Sequence, residues 1–371
     1  MKKIICILLL TVAVCAQSCF TAFGISAAAY AVINGDNGEL IESSNGDTRL
    51  PMASTTKIMT ALLLCEHGDF DREITVSADM LKVEGSSMGL LAGDKVTLHD
   101  LLYGMMLASG NDAANVTAIT IGGSVGGFVE MMNKRAEEMG LKDTHFVTPS
   151  GLDADGHYTT AKELAIIAMN AMKNEEFAKA ASSPSAVLNY GNPPYRRSLS
   201  NHNRLLKYFN GAVGVKTGFT KKSGRCLVSA ARRDGKLVIA VTLNDPNDWK
   251  DHEQLLESGL NAIHQTDYKY DGELRVPVIN GKSNELKIEL EPYTVNTVSD
   301  AEISGQIKLP KFIYAPVKSG DVIGEIEYFS GDTAVGKSNI ISNCDIDIKT
   351  QKKMPLKEIT LNFLTILKSI R

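Results

Sequence analysis

The stretch Pro51-Met52-Ala53-Ser54-Thr55-Thr56-Lys57, with the apolar run 58–65 behind it, decides the reading of this chain. A serine and a lysine three residues apart share one face of a helix and lie within reach of each other. An unaided hydroxyl is a poor nucleophile, but beside a neutral amine in a low-dielectric site it becomes a useful one. By itself the pair proves little, since Ser-x-x-Lys arises by chance about once in a few hundred residues at average composition. The run that follows is nearly apolar on every side, which predicts a central buried helix opening at Ser54.

The rest of the chain supplies the setting. Its 371 residues leave room for two domains, each able to bury a core. Charge is nearly balanced, with 39 basic and 43 acidic residues, and no basic block points to nucleic acid. At the N-terminus, Met1-Lys2-Lys3, an apolar run over 4–14 and Ser26-Ala27-Ala28-Ala29 have the layout of a secretory signal peptide. The pattern predicts a leader over 1–28, cut near 27–29. The apolar run is short for an uncleaved anchor, and Val14 and Ala16 fit poorly as the neighbours of a lipidated Cys15 or Cys19. Of six cysteines, Cys65, Cys226 and Cys344 would remain, far apart and odd in number. They are expected to be buried thiols, neither a disulfide frame nor a metal site. The seven histidines form no zinc-binding pattern, and no metal or cofactor is expected.

Taken in order, residues 30–33 and 39–42 around Asn34-Gly35-Asp36-Asn37-Gly38 read as a hairpin. The Ser54 helix follows, then short strands at 72–76 and 93–96 around the loop Gly85-Ser86-Ser87-Met88-Gly89. Thr97 and Asp100 form a capping box that opens a helix to 107. Ser109-Gly110-Asn111 breaks the periodicity, and helices are predicted over 112–121, 127–139 and 160–172. Strands are predicted at 211–218, 225–232 and 236–244, with a closing helix over 251–263. The pattern predicts an α/β (α+β) sandwich, an antiparallel sheet flanked by helices, over 29–265. Alternating strands over 266–350 predict a small β-sandwich domain. On a helical wheel, Leu356, Ile359, Phe363, Ile366, Leu367 and Ile370 share a face flanked by Lys357, Lys368 and Arg371. Residues 351–371 are therefore expected to form an amphipathic helix on an anionic membrane surface.

Three short motifs occur in order: Ser54-Thr55-Thr56-Lys57, Ser109-Gly110-Asn111 and Lys216-Thr217-Gly218. Ser43-Ser44-Asn45, Lys222-Ser223-Gly224 and Lys318-Ser319-Gly320 imitate two of them but lie in turns. The true set opens a buried helix, sits in a helix-to-helix break and closes an apolar strand. With the longer stretches 52–57, 107–114 and 214–220 and the loop 85–90, the chain resembles the low-molecular-mass D-alanyl-D-alanine carboxypeptidases among the penicillin-binding serine peptidases. The resemblance extends over the whole mature chain. It implies that Ser54 attacks the bond between the terminal D-alanines of a peptidoglycan stem peptide, and that β-lactams acylate it. Lys57 would be the general base, kept neutral by burial and by Lys216. Ser109 would relay protons, and Asn111 would hold the substrate amide and orient Lys57. Lys216 and Thr217 would face the substrate carboxylate, and Gly218 would let the strand lie close to the peptide. The backbone N–H groups of Ser54 and Phe219 would form the oxyanion hole.

Two departures stand out. Phe219 replaces the histidine or threonine that some relatives carry after Lys-Thr-Gly. Where some relatives place a carboxylate-gripping arginine, this chain reads Asp245-Pro246-Asn247-Asp248-Trp249-Lys250, so that role is unassigned. His157 is expected to be a plain loop residue, Asp112 a helix cap and Trp249 a packing anchor. A D,D-endopeptidase would use the same machinery. A β-lactamase would need a deacylation base, and no Glu-x-x-Leu-Asn stretch lies between the second and third motifs. A non-catalytic wall-binding scaffold would not need all the motif residues that are present.

Overall fold

The computed structural model describes residues 24–349. The predicted leader up to residue 23, with Cys6, Cys15 and Cys19, and the predicted tail helix 351–371 lie outside the described residues. The chain divides into two compact units between Ala262 and Ile263.

The first unit is built on a five-stranded antiparallel sheet in the order β2-β1-β9-β8-β7. Its strands are β1 (Ala29–Asn34), β2 (Leu40–Ser44), β7 (Ala212–Thr220), β8 (Gly224–Arg233) and β9 (Lys236–Leu243). A smaller sheet, β3 (Glu73–Thr75), β4 (Lys95–Thr97), β5 (Ser185–Gly191) and β6 (Pro194–Ser200), stands apart from it. The helices are α1 (Lys57–His67), α2 (Leu98–Met106), α3 (Asn111–Gly122), α4 (Val125–Glu138), α5 (Ala161–Met172), α6 (Glu175–Ser182), α7 (Leu205–Tyr208) and α8 (Asp248–Ala262).

The two-residue side-chain period of a strand explains why helices cover both faces of the large sheet. Ala29, Ala31 and Ile33 of β1 join the core formed with α1 and α5. Val32, between them, faces α8, where Gly259 lies so close to the sheet that a Cβ would stand 2.4 Å from Val238 Cγ2. β8 does likewise: Cys226, Val228 and Ala230 enter the α1 core, while Ser229 meets His252 of α8. α1 is buried from Lys57 to Cys65 and packs on α2, α3, α5 and β7, as an all-apolar run requires. Each leucine fully buried there contributes about 1.5–3 kcal/mol over an exposed one.

The capping box predicted at Thr97 is present, with Thr97 Oγ1 accepting from Asp100 N and Asp100 Oδ2 accepting from Thr97 N. Several elements differ from expectation. β7 runs two residues past Gly218, to Thr220, and α8 begins at Asp248 instead of 251. The hairpin β5–β6 and the helix α6 were not anticipated. Gly24 to Ala28 are ordered onto the unit: Ser26 donates from N to Asp251 Oδ2 (2.6 Å) and from Oγ to Asp245 Oδ1 (2.7 Å), and Ala28 N bonds Asn244 O.

The second unit is β-rich. β10 (His264–Tyr268) pairs β13 (Tyr293–Thr297); β11 (Leu274–Ile279) lies between β12 (Glu285–Ile288) and β15 (Ile313–Tyr314); β16 (Val322–Ser330) lies between β14 (Ile303–Lys308) and β17 (Thr333–Ile341). Inward residues such as Val276, Leu286, Val295, Ile326 and Tyr328 form its core. Cys65 and Cys226 are buried free thiols, but Cys344 is exposed, because it sits in the turn after β17 where nothing packs over it. Among the described residues no helix is long and apolar enough to cross a membrane.

Candidate active site

The three motifs converge on one cleft of about 340 Å³ lined by Ser54, Ser86, Ser109, Thr217, Gly218 and Phe219, with His202, Arg225, Asp248 and Trp249 toward one side. Ser54 lies in a single 3₁₀ turn (Ala53–Thr56) that runs directly into α1. Ala53 before it has φ +48°, and Ser109 has φ +56°. Left-handed backbone at non-glycine residues is costly, and here it occurs at both turns that aim a serine into the cleft.

Lys57 is fully buried at the base of the cleft. Its Nζ lies 3.0 Å from Ser54 Oγ, 2.7 Å from Asn111 Oδ1 and 2.6 Å from the Ser150 carbonyl. Asn111 Oδ1 and Ser150 O can only accept. In the neutral amine they would take its two hydrogens and leave the lone pair for Ser54. Burial first, and then the charge of Lys216, hold the Lys57 amine well below its ordinary value, against a smaller opposing effect of Asp112. Lys216 is also buried and is lowered to about 7 by burial. Its Nζ donates to Ser109 Oγ and to its own neighbour's carbonyl, Thr217 O, at 3.0 Å each. A serine oxygen that accepts from Lys216 keeps its own hydrogen to turn elsewhere, and Ser109 faces the cleft.

Gly218 is required by close approach. A Cβ there would stand 3.1 Å from Met52 O, Ser54 N and Thr55 N, so β7 lies directly on the Ser54 turn. Phe219 is 66% exposed and forms part of the cleft wall. Asn111 Oδ1 accepts from Lys57, and its amide nitrogen donates to Glu84 O at 2.6 Å and so also ties down the loop before Ser86.

Several residues play parts that the sequence does not show. The loop 149–157 wraps the Ser54 turn: Pro149 O accepts from Thr60, Ser150 O accepts from Lys57, and a Cβ on Gly151 would overlap Ala53 O. His157 is in a loop but is buried, not a plain surface residue. Thr56 Oγ1 donates to Ala53 O, so His157 Nε2–H donates to Thr56 Oγ1 at 2.8 Å, while its Nδ1 accepts from Val147 N. That neutral tautomer agrees with a value lowered to about 4, mainly by burial. Asp112 is not the cap of α3, a position held by Gly110: its carboxylate accepts from Ser87 Oγ and from the N–H groups of Met88, Gly89 and Leu90, folding the 85–90 loop against the second motif. Trp249 is half-buried and lines the cleft.

A larger cleft, about 520 Å³, lies in the second unit beside His264, Asp267, Lys269, Ser299 and Asp300; Ser299 Oγ there accepts from Ala301 N, and among the described residues no hydrogen bond joins it to a basic side chain. Among the described residues no cluster of potential metal ligands occurs.

Comparison with known proteins agrees with this geometry. Residues 16–247 match the family model described as D-alanyl-D-alanine carboxypeptidase, and residues 261–348 match that of the penicillin-binding protein 5 C-terminal domain. D-alanyl-D-alanine carboxypeptidase DacF of Bacillus subtilis (strain 168) is 31% identical over 329 residues, covering 85% of this chain and 84% of that protein. The D-alanyl-D-alanine carboxypeptidase of Streptomyces sp. (strain K15) is 37% identical over 58% of this chain and 79% of its own. Among solved structures, D-alanyl-D-alanine carboxypeptidase DacD from Francisella tularensis superposes with a TM-score of 0.64 at 26% identity, over 89% of this chain and 95% of that one. The Streptomyces K15 DD-transpeptidase does so with a TM-score of 0.62 at 32% identity, over 64% and 98%.

Proposed function

The chain belongs to the D-alanyl-D-alanine carboxypeptidase family, and we propose that it removes the terminal D-alanine of peptidoglycan stem pentapeptides through an acyl-enzyme on Ser54. The observation that carries the reading is the saturation of Lys57: two acceptor-only partners and a serine hydroxyl at 3.0 Å.

Ser54 Oγ gives its proton to Lys57 Nζ and bonds to the carbonyl carbon between the two D-alanines. The oxyanion that forms is held by the N–H groups of Ser54 and Phe219, an arrangement worth about 3–4 kcal/mol per donor in acyl transfer. The C–N bond then breaks, and the departing nitrogen takes the proton that Lys57 had accepted, handed on by Ser109, whose oxygen is held by Lys216; Lys57 is left neutral. Water adds to the resulting ester, Lys57 again accepts the proton, and Ser54 is restored. Penicillin enters the same path, but its acyl-enzyme persists. Of the acids lining the cleft, Asp248 is engaged with Arg225 and is poorly placed to activate water.

The leader pattern over 1–28 and the amphipathic pattern over 351–371 support an extracytoplasmic, membrane-associated enzyme that meets its substrate at the wall. Loss of membrane partitioning on deleting residues 354–371 is the expected result for the tail; unchanged partitioning refutes it.

The reaction is tested by incubating the protein with a stem pentapeptide and with benzylpenicillin. Free D-alanine and a stable mass adduct on Ser54 are expected. An absent adduct refutes the serine mechanism, rapid penicillin turnover indicates a β-lactamase, and cleavage only of cross-linked peptides indicates an endopeptidase.

A further inference from the structure

The proposed substrate ends in a carboxylate, and the segment 245–250 supplies no arginine to meet it. Lys216 is an incomplete answer. It is 2% exposed and already donates to Ser109 and Thr217 O, so it stands behind the cleft wall instead of in it.

A different cation does line the cleft. Arg225 is the second residue of β8 and pairs across the hairpin with Phe219, the residue after the third motif. Its side chain is 42% exposed, and it borders the same cleft as Ser54 and Thr217. Its position is fixed from two directions. Nη2 bonds both oxygens of Asp248 at 2.8 Å, and the backbone carbonyl of residue 225 accepts from Asp245 N at 2.8 Å. Asp248, the first residue of α8, has a side chain only 4% exposed, so this carboxylate is a rigid support and not a solvated counter-ion. Only one guanidinium nitrogen is used. Nε–H and the Nη1 hydrogens make no hydrogen bond to the described residues, which leaves charged donors free for a second carboxylate.

The surroundings extend this cationic character. Trp249 has Arg225 at 5.6 Å from its ring centre and Arg204 at 5.7 Å. Arg204, Arg225 and Trp249 also border an adjoining cleft of about 360 Å³, so the cationic wall continues past the catalytic cleft. Guanidinium groups held against an indole face lose less freedom on binding an anion than free side chains do.

We infer that Arg225, braced by Asp248 and Trp249, is the specificity-determining residue that grips the C-terminal carboxylate of the substrate. Lys216 then acts through Ser109 and Thr217 and does not meet the carboxylate directly. The inference rests on the carboxypeptidase reading, and its test separates the two.

The full chain and its Arg225→Met and Arg225→Lys variants are compared on a stem pentapeptide and its C-terminal carboxamide, by D-alanine or D-alaninamide release. They are also compared on benzylpenicillin and its methyl ester, by the rate of the mass adduct on Ser54. Charged hydrogen-bond partners of this kind predict a loss of about 10- to 100-fold in kcat/KM on both carboxylates, under about threefold on the neutral analogues, and partial recovery in Arg225→Lys. Equal losses on charged and neutral compounds, or no loss on the charged ones, overturn it. Because Arg225→Met leaves Asp248 unpaired, the double variant Arg225→Met/Asp248→Asn repeats the comparison without a stranded charge. If the unaltered chain releases D-alanine from neither peptide, the carboxypeptidase reading falls, and the penicillin pair alone still decides Arg225.

Discussion

Two serines in the first unit stand beside a base, and their surroundings make them opposites. Ser229 Oγ lies 2.5 Å from His252 Nδ1, closer than Ser54 lies to Lys57, and His252 Nε2 meets Thr242 Oγ1 at 2.9 Å. By proximity alone, Ser229–His252 is the better catalytic pair. Yet Ser229, His252 and Thr242 are all fully buried between the sheet and α8, with no space for a substrate. Ser54 is half-buried and opens on a cleft. Burial weakens both bases: His252 is lowered to about 3 and Lys57 falls well below its usual range. What separates chemistry from packing is therefore access, together with an oriented second partner. Asn111 and Ser150 aim the lone pair of Lys57, and Gly218 brings a strand edge to the reacting centre.

The contrast breaks most sharply at the nucleophiles. Ser54→Ala is expected to abolish the penicillin adduct and to cut D-alanine release by about 10⁴-fold or more. An adduct that persists in Ser54→Ala and disappears in Ser229→Ala would reverse the assignment. Next in size is the base. Lys57→Ala should lower the acylation rate by about 10²–10⁴-fold, the usual range for general-base catalysis, with little change in KM. Asn111→Ala frees one hydrogen of the amine and should cost less.

Gly218→Ala tests the close approach. Its Cβ would press on the backbone of the Ser54 turn at 3.1 Å, and backbone cannot swing away as a long side chain can. A loss of about 10- to 100-fold in kcat, with a small loss of stability, is expected. Unchanged kcat would mean that the strand edge does not position the substrate.

The lysine pair gives a pH signature. Lys216 is lowered to about 7 in the free enzyme, so its charge is present below that pH and is lost as pH rises through it. Lys57 must be neutral, which sets the acid limb. The ratio kcat/KM, which reports the free enzyme, and kcat, which reports the bound one, should both fall above about 7, because the substrate carboxylate meets Arg225 and leaves Lys216 unshifted. An alkaline limb of kcat displaced well above that of kcat/KM would show that a substrate anion lies against Lys216.

How much of this was legible beforehand depends on which atoms do the work. Ser54, Lys57, Ser109, Asn111 and Lys216 are side-chain chemistry at fixed spacing, and the sequence places them on a buried helix, a helix break and a strand that the structure brings to one cleft. The Ser150 carbonyl could not be read, because every residue carries one. Gly151 reads as any loop glycine, and only the fold sets Ala53 O against it. Arg225 was overlooked because the expected arginine lies in another segment, and only the hairpin register sets it beside Phe219. His157 and Asp112 were underrated for a similar reason: their partners, Thr56 and the 87–90 loop, are distant in sequence. The β5–β6 hairpin was missed because its outward residues, among them Val187 and Tyr195, are exposed and blur the alternation.

The smallest expected effect on activity completes the contrast. Ser229→Ala deletes a hydroxyl from a sealed site and leaves His252 Nδ1 without its partner. Leaving a buried polar atom unsatisfied costs about 1–3 kcal/mol, to be read as a lower urea midpoint at unchanged slope. Thr242 still meets Nε2, and the tautomer adjusts to it, so the ring stays in place. Acylation by benzylpenicillin should then stay within about twofold of the unaltered chain at temperatures where both are folded. If acylation falls severalfold while the protein remains folded, the Ser229–His252 pair is coupled to the cleft through β8, the strand that also carries Arg225, and packing and chemistry are not separate in this unit.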